Sequence, residues 1–448
     1  MSQDVDATRI PELQEVVSQV LREARTAGAS SAEADASLQK GLNATVRLGE
    51  VETVEYQRDR GMGVTVYFGH RKGSASTGDF SAGAIRDTVQ KACAIARYTA
   101  EDECAGLADP ADLATHIPEL ALDFPWALEP DAAVALATRC EAAGREVDAR
   151  ITNSEGASVG THRGVRVYGN SHGFLAGYAS SSHSLSCVLL AQSGEDMQRD
   201  YWYSSARDPA DLADPLEIGR IAGSRAVARL GARRVPTGKA PVLFAPEVAR
   251  GLLGHFFGAI RGGAQYRKST FLLGAAGTQV LPDFVNLHER PHLPKGLASS
   301  PFDSEGVATR DRELVAGGVL EGYLLGSYSA RKLGLRTTGN AGGIHNLIVD
   351  PSPDALDLAG LVRKMGRGLL VTELMGQGVN GVTGDYSRGA TGFWVEGGAI
   401  AHPVQEITIA GNLRDMYRSI VSIGTDVDLR GGIRTGSILL ADMTIAGE

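Results

Sequence analysis

Residues 62–68 read Met62-Gly63-Val64-Thr65-Val66-Tyr67-Phe68, a run of apolar and β-branched side chains. Such a run predicts a strand. Two more strand signals stand just before it, at 43–48 and 51–56. Working outward, Ile10, Leu13, Val16, Val17, Val20, Leu21 and Ala24 recur at helical spacing. They predict an amphipathic helix over 8–27, which Gly28 stops. On the other side, Ser81 is a candidate N-cap for a helix running to about Tyr98. Its apolar face is Ile85, Val89, Ala92, Ile95 and Ala96. A helix, a set of strands and a helix make an α+β unit, not an alternating β-α-β one.

The chain has 448 residues, which at about 150 per domain suggests roughly three units. The expected divisions are an N-terminal α+β unit over 1–115, a middle α+β unit over 116–232 and a larger C-terminal domain over 233–448. Residues 101–130 are acidic, carry Pro110, Pro118, Pro125 and Pro130, and read as a linker. A helix is predicted from Asp131, followed by strand-like runs at 164–168, 174–180 and 184–191 and a polar helix or loop over 206–231. The last domain is glycine-rich and β-rich. It contains one strong helix at about 246–260, a strand at 369–374 and glycine-punctuated strands at 318–328 and 433–445.

Glycine is the compositional outlier, 56 of 448 residues, or nearly twice the usual share of about 7%. It shows no three-residue period, so a collagen-like fold is excluded. Lys+Arg 44 against Asp+Glu 53 gives 44 − 53 = −9, which argues against a nucleic-acid partner. No run approaches 18 consecutive apolar residues, so no membrane span is expected. The opening Met1-Ser2-Gln3-Asp4-Val5-Asp6 lacks the basic start and apolar core of a signal peptide. Cys93, Cys104, Cys140 and Cys187 form no CxxC pair. They fit core thiols of a reducing compartment, so a cytoplasmic location is expected.

Three short motifs mimic active sites. His288-Glu289-Arg290-Pro291-His292 is a literal HExxH. A zinc helix needs both imidazoles on one face, and Pro291 breaks such a helix. Gly376-Gln377-Gly378-Val379-Asn380-Gly381 is a literal GxGxxG, but Val382-Thr383-Gly384-Asp385-Tyr386 follows where a dinucleotide site needs a helix. Gly156-Ala157-Ser158-Val159-Gly160 mimics a nucleophile elbow, but a strand-like run follows it too. His255 lies in the strong helix of the last domain. Gly251, Leu252, Gly258 and Ala259 occupy the positions three and four residues away, so no second ligand is available there. A satisfied, partly buried histidine is the simpler reading.

Several longer strings resemble one family over nearly the whole chain. They are 61–67, 73–77, 153–158, Ser300-Pro301-Phe302-Asp303-Ser304-Glu305-Gly306-Val307, residues 378–389 and Ile409-Ala410-Gly411-Asn412-Leu413. They resemble the TldD/PmbA peptidases, and within these the PmbA (TldE) branch. In the TldD branch the resemblance implies a zinc peptidase, with HExxxH on a helix and a late cysteine as third ligand. Arg267-Lys268-Ser269-Thr270 resembles the RKxT that follows that helix. Counting back places Gly254 at the first histidine, His255 at the glutamate and Ala259 at the second histidine. No cysteine occurs after Cys187.

The resemblance therefore implies a chain with no zinc of its own and no catalytic residue, only the degenerate positions Gly254, His255 and Ala259. Its expected partner is a TldD-like metallopeptidase subunit that carries the zinc. The two would form a heterodimeric chamber acting on peptides or unfolded proteins, with a homodimer possible when the chain is alone. Candidate cavity residues are His255, Arg267, Asp385, Tyr386, Ser387 and Arg388. A structural turn satisfying its own backbone is the alternative for the last four. One rival reading is an independent homodimeric metallopeptidase using His288, Glu289 and His292. Another is a non-enzymatic peptide-binding protein.

Overall fold

The structure is a computed structural model and describes residues 5–447. Met1–Asp4, part of the stretch read above for a leader, lie outside the described residues, as does Glu448.

The first half contains α1 (Ile10–Thr26), β1 (Ser31–Arg47), β2 (Glu50–Phe68), β3 (Arg71–Thr77) and α2 (Ala82–Tyr98). Then follow α3 (Pro130–Arg145), β4 (Ile151–Asn170), β5 (Leu175–Ser193), β6 (Asp196–Ala206) and α4 (Pro215–Ala228). Ser81 caps α2 by accepting the Ala84 N–H. The six strands form one antiparallel sheet in the order β3-β2-β1-β4-β5-β6, running through both of the first two expected units. α1 and α2 bury their apolar stripes on one part of it, and α3 and α4 on another.

The strands are much longer than the sequence patterns predicted. The run at 43–48 is only the end of β1. The runs at 51–56 and 62–68 are one strand, β2, and those at 174–180 and 184–191 both fall in β5. The start of β1 is alanine and polar residues, which have little strand preference of their own. It is a strand because it sits between β2 and β4 and buries Ala32, Ala34 and Ala36. The 101–130 segment has few regular hydrogen bonds but is not a solvated linker. It buries Ala105, Leu107, Ala108, Leu120 and Leu122, and Arg331 donates to the carbonyls of Cys104, Gly106 and Leu107.

Glycine lets α3 and α4 touch backbone to backbone. A Cβ on Gly219 would lie 1.9 Å from the Cys140 carbonyl oxygen, and one on Gly144 would lie 2.6 Å from that of Gly219. From α3, buried Glu141 accepts the backbone N–H groups of Leu48 and Gly49, both at 2.8 Å, and so holds the β1–β2 turn.

The C-terminal part begins with β7 (Gly238–Phe244), α5 (Pro246–Ile260), α6 (Gly262–Tyr266), β8 (Leu287–Glu289), β9 (Arg312–Ala316), β10 (Val319–Leu320) and α7 (Ser327–Leu333). It continues with β11 (Leu347–Val349), α8 (Leu358–Met365), β12 (Gly368–Met375), β13 (Asp385–Glu396), β14 (Ala399–Asn412) and α9 (Leu413–Arg418). It closes with β15 (Ile420–Ile423), β16 (Ile433–Arg434) and β17 (Ile438–Ala446). A mixed sheet, β14-β13-β12-β7-β17-β15, packs against α5, and a smaller sheet runs β10-β9-β8-β11-β16. The strand predicted at 318–328 is instead β10, an irregular stretch in which Leu324 bridges to Arg261, and the start of α7. That predicted at 433–445 divides between the two sheets. The break is at Gly436, where a Cβ would come within 2.0 Å of the Gly424 carbonyl oxygen. Among the described residues, no helix is long and apolar enough to cross a membrane.

Candidate functional site

α5 spans Pro246–Ile260 and starts with proline, which suits the first helical turn. Leu252, Leu253, Phe256, Phe257 and Ile260 are buried, while Gly251, Gly254 and Gly258 lie on its exposed side. A side chain added at Gly254 would meet open space, with nothing within 4 Å. Ala259 is buried, and its carbonyl accepts hydrogen bonds from Gln265 Nε2 at 2.9 Å and Thr270 Oγ1 at 2.8 Å.

His255 lies edge-on to Tyr386, with ring centroids 6.0 Å apart. Burial and the nearby Arg388 cation push the His255 pKa below its ordinary value, which favours neutral imidazole. Tyr386 is 2% exposed, and burial raises its phenol to about 12, partly offset by Arg388. Tyr386 Oη and Arg388 Nε are both buried without a hydrogen-bond partner. Among the described residues, no carboxylate pairs with Arg388 within 4 Å.

The candidate residues thus divide. Alternation along β13 sets Tyr386 and Arg388 on one face, with His255 beside Tyr386. Asp385 and Ser387 alternate to the other face and are exposed. Asp385 accepts from Thr383 Oγ1 at 2.6 Å and Asn412 Nδ2 at 3.2 Å, and these bonds hold its pKa below the usual carboxylate value. Arg267 is exposed, donates to Tyr266 Oη at 3.0 Å and lies over that ring.

The HExxH string is not helical. His288 and Glu289 are in β8 and have different partners. His288 contacts Glu313 and, at 2.8 Å, Asp350. Glu289 is buried and accepts from Asn340 Nδ2 at 2.6 Å and His345 Nδ1 at 3.0 Å. Desolvation raises its pKa, but the bonds from His345 and the charge of Arg312 outweigh this and leave it lowered. His292 Nε2 bonds Thr309 Oγ1 at 2.9 Å. Residues 376–381 turn back along β13, so that Ser387 N–H donates to the Gly378 carbonyl at 2.7 Å. Ser158 lies inside β4 and shares a 2.9 Å hydrogen bond with Thr45.

Zinc takes thiolate, imidazole or carboxylate donors. α5 offers only His255 at the three positions in question. All four cysteines precede β7. Among the described residues, no group of three or more His, Cys, Asp or Glu could hold a metal ion. The residues at α5 do not fit a zinc ion.

Comparison with known proteins places this arrangement. Residues 32–96 match the family model of PmbA/TldA metallopeptidase domain 1, 123–230 that of the central domain, and 237–447 that of the C-terminal domain. Metalloprotease PmbA of Escherichia coli O157:H7 is 52% identical over 436 residues, covering 97% of this chain and 96% of that one. The chain belongs to the PmbA/TldD family, in its PmbA branch. A crystal structure from Bacteroides thetaiotaomicron, described as a candidate modulator of DNA gyrase, superposes with a TM-score of 0.93 at 28% identity. It covers 98% of this chain and 100% of that one. TldE from Thermococcus kodakarensis shares the fold, with a TM-score of 0.85 at 20% identity, covering 96% and 100%.

In this PmbA-branch chain the resembling strings have visible structural tasks. Asp303 gathers the N–H groups of Glu305, Val307 and Ala341 at 2.8–3.0 Å. Burial nevertheless raises its pKa to about 6, with Glu305 adding to the shift. Asn380 accepts the N–H groups of Val382 and Thr383. The sequence signal that found the Tyr386–Arg388 pair was a polar cluster in a glycine-rich turn. Nothing in the sequence signalled Glu289 or Asp303 as buried hubs, because each is satisfied by residues distant along the chain or by backbone.

Proposed function

We propose that this chain is the zinc-free partner subunit of a TldD/PmbA-type heterodimeric metalloprotease. Its part is to form the wall of a chamber acting on peptides and unfolded proteins, while a TldD-like subunit carries the zinc. The observation that carries this reading is the donor-poor α5: a bare Gly254, a half-buried His255 and a buried Ala259. A neutral imidazole beside a buried phenol can bind or orient a substrate group, but no water activated by this chain's own metal is available to it. The family membership and the TldE-like fold support the reading.

The test is peptide hydrolysis by the chain alone, by a TldD-like HExxxH subunit alone and by their mixture. The expected result is no hydrolysis by this chain and a gain on mixing. Hydrolysis by this chain alone, abolished by His288→Ala or His292→Ala, favours the independent metallopeptidase. Peptide binding with no gain of hydrolysis on mixing favours a stand-alone peptide-binding protein.

A further inference from the structure

Arginines drawn into this fold are held by acceptors. Arg163 forks Asp123 and Arg430 forks Asp428. Arg207 and Arg331 donate to backbone carbonyls. Among the described residues, two arginines bury an Nε that has no hydrogen-bond partner, Arg388 and Arg434. Both border α5. Arg434 is on β16, which packs beside that helix. Arg388 is on β13, two residues from the Tyr386 ring that meets His255. A guanidinium carries several N–H donors. The bond given for Arg388 runs from Nη2 to the Leu374 carbonyl at 3.5 Å, beyond the usual range. A partly buried charge without an acceptor is costly. Carboxylates are not scarce in a chain with nine more acidic than basic residues, yet none sits on Arg388. Further donors stand beside it: the Tyr386 hydroxyl, also buried and unpartnered, and the His255 ring. There is room as well, since a side chain at Gly254 would meet nothing within 4 Å.

We propose that Arg388 is a carboxylate anchor: its guanidinium receives a carboxylate of a bound peptide on the open side of α5, with His255 beside it. The planar guanidinium fork matches a carboxylate in shape, and the pair is charge-assisted. One cation flanked by a neutral imidazole and a neutral phenol balances one negative charge. A dianion such as phosphate would leave a second charge uncompensated in an already acidic chain. The carboxylate comes from a peptide C-terminus or from an Asp or Glu side chain. In either case this subunit would hold the substrate at a charged end or side group and read no other side chain there. That the ligand is a peptide rests on the proposed function. The anchor itself needs neither zinc nor a partner subunit, so it is tested on this chain alone.

The test is calorimetric binding of three probes to the full-length chain, with the His255 ring followed by NMR. The probes are acetyl-trialanine with a free C-terminal carboxylate, the same peptide as its C-terminal amide, and that amide with glutamate at its central position. The free acid should bind at least about tenfold more tightly than the neutral amide, the scale for a hydrogen bond to a charged group. It should also raise the His255 pKa, because a nearby anion favours imidazolium. Tight binding of the free acid alone assigns the anchor to peptide C-termini. Tight binding of the glutamyl amide as well extends it to acidic side chains. Arg388→Gln should abolish the preference with unchanged circular dichroism. Arg388→Lys, which keeps the charge but loses the fork, should fall between. Equal binding of all three probes, no binding of any, or a preference that survives Arg388→Gln overturns the inference. Failure of the subunit reading shows elsewhere, as no gain of hydrolysis on mixing with a TldD-like subunit.

Discussion

At the scale of single residues, the α5–β13 contact turns on three side chains with little freedom to change charge. His255 is half-buried and has the Arg388 cation nearby, so it resists protonation. NMR titration should place its imidazole below 6.5, and Arg388→Ala should move it upward, because removing a cation favours the imidazolium. The sign for stability follows. A histidine whose folded pKa is depressed stabilises the fold above its unfolded value, and that contribution is lost as pH falls through the folded value. Tyr386 makes a second prediction. Its hydroxyl is buried without a partner, and such a group costs about 1–3 kcal/mol. Tyr386→Phe should therefore be neutral or stabilising in urea unfolding of the chain alone. A loss of more than about 1 kcal/mol, the scale of a net hydrogen bond, would mean that the hydroxyl is satisfied.

At the scale of elements, the joints between helices and sheet carry the specificity. Glu141 on α3 holds two N–H groups of the β1–β2 turn. Glu141→Ala should cost about 1.5–3 kcal/mol, the range for hydrogen bonds to a charged group, measured as a lower urea midpoint at unchanged m. Gly219→Ala should cost about 1–3 kcal/mol, as overpacking does, because the added methyl meets the Cys140 carbonyl. Element legibility follows the same division between local and distant causes. α1, α2 and α5 were readable to within a few residues because caps, prolines and apolar spacing are local. β1 was only partly readable, since its alanines become a strand through β2 and β4, both distant in contact if not all in sequence. The His255–Tyr386 contact joins a helix to a strand far along the chain, so the sequence could nominate each residue but not their meeting. Arg267, nominated with them, lies over Tyr266 instead.

At the scale of the whole molecule, one sheet ties the first half together and a second packs against the helix bearing Gly254, His255 and Ala259. The fold is that of a peptidase family, while the helix expected to hold the metal supplies a single imidazole. That contrast is the central claim, and zinc stoichiometry tests it most directly. The full-length chain, incubated with zinc, dialysed and measured by mass spectrometry, should retain no stoichiometric zinc, and His255→Ala should change nothing. One zinc per chain, lost on replacing His255 or the histidines of the HExxH string, would contradict the account.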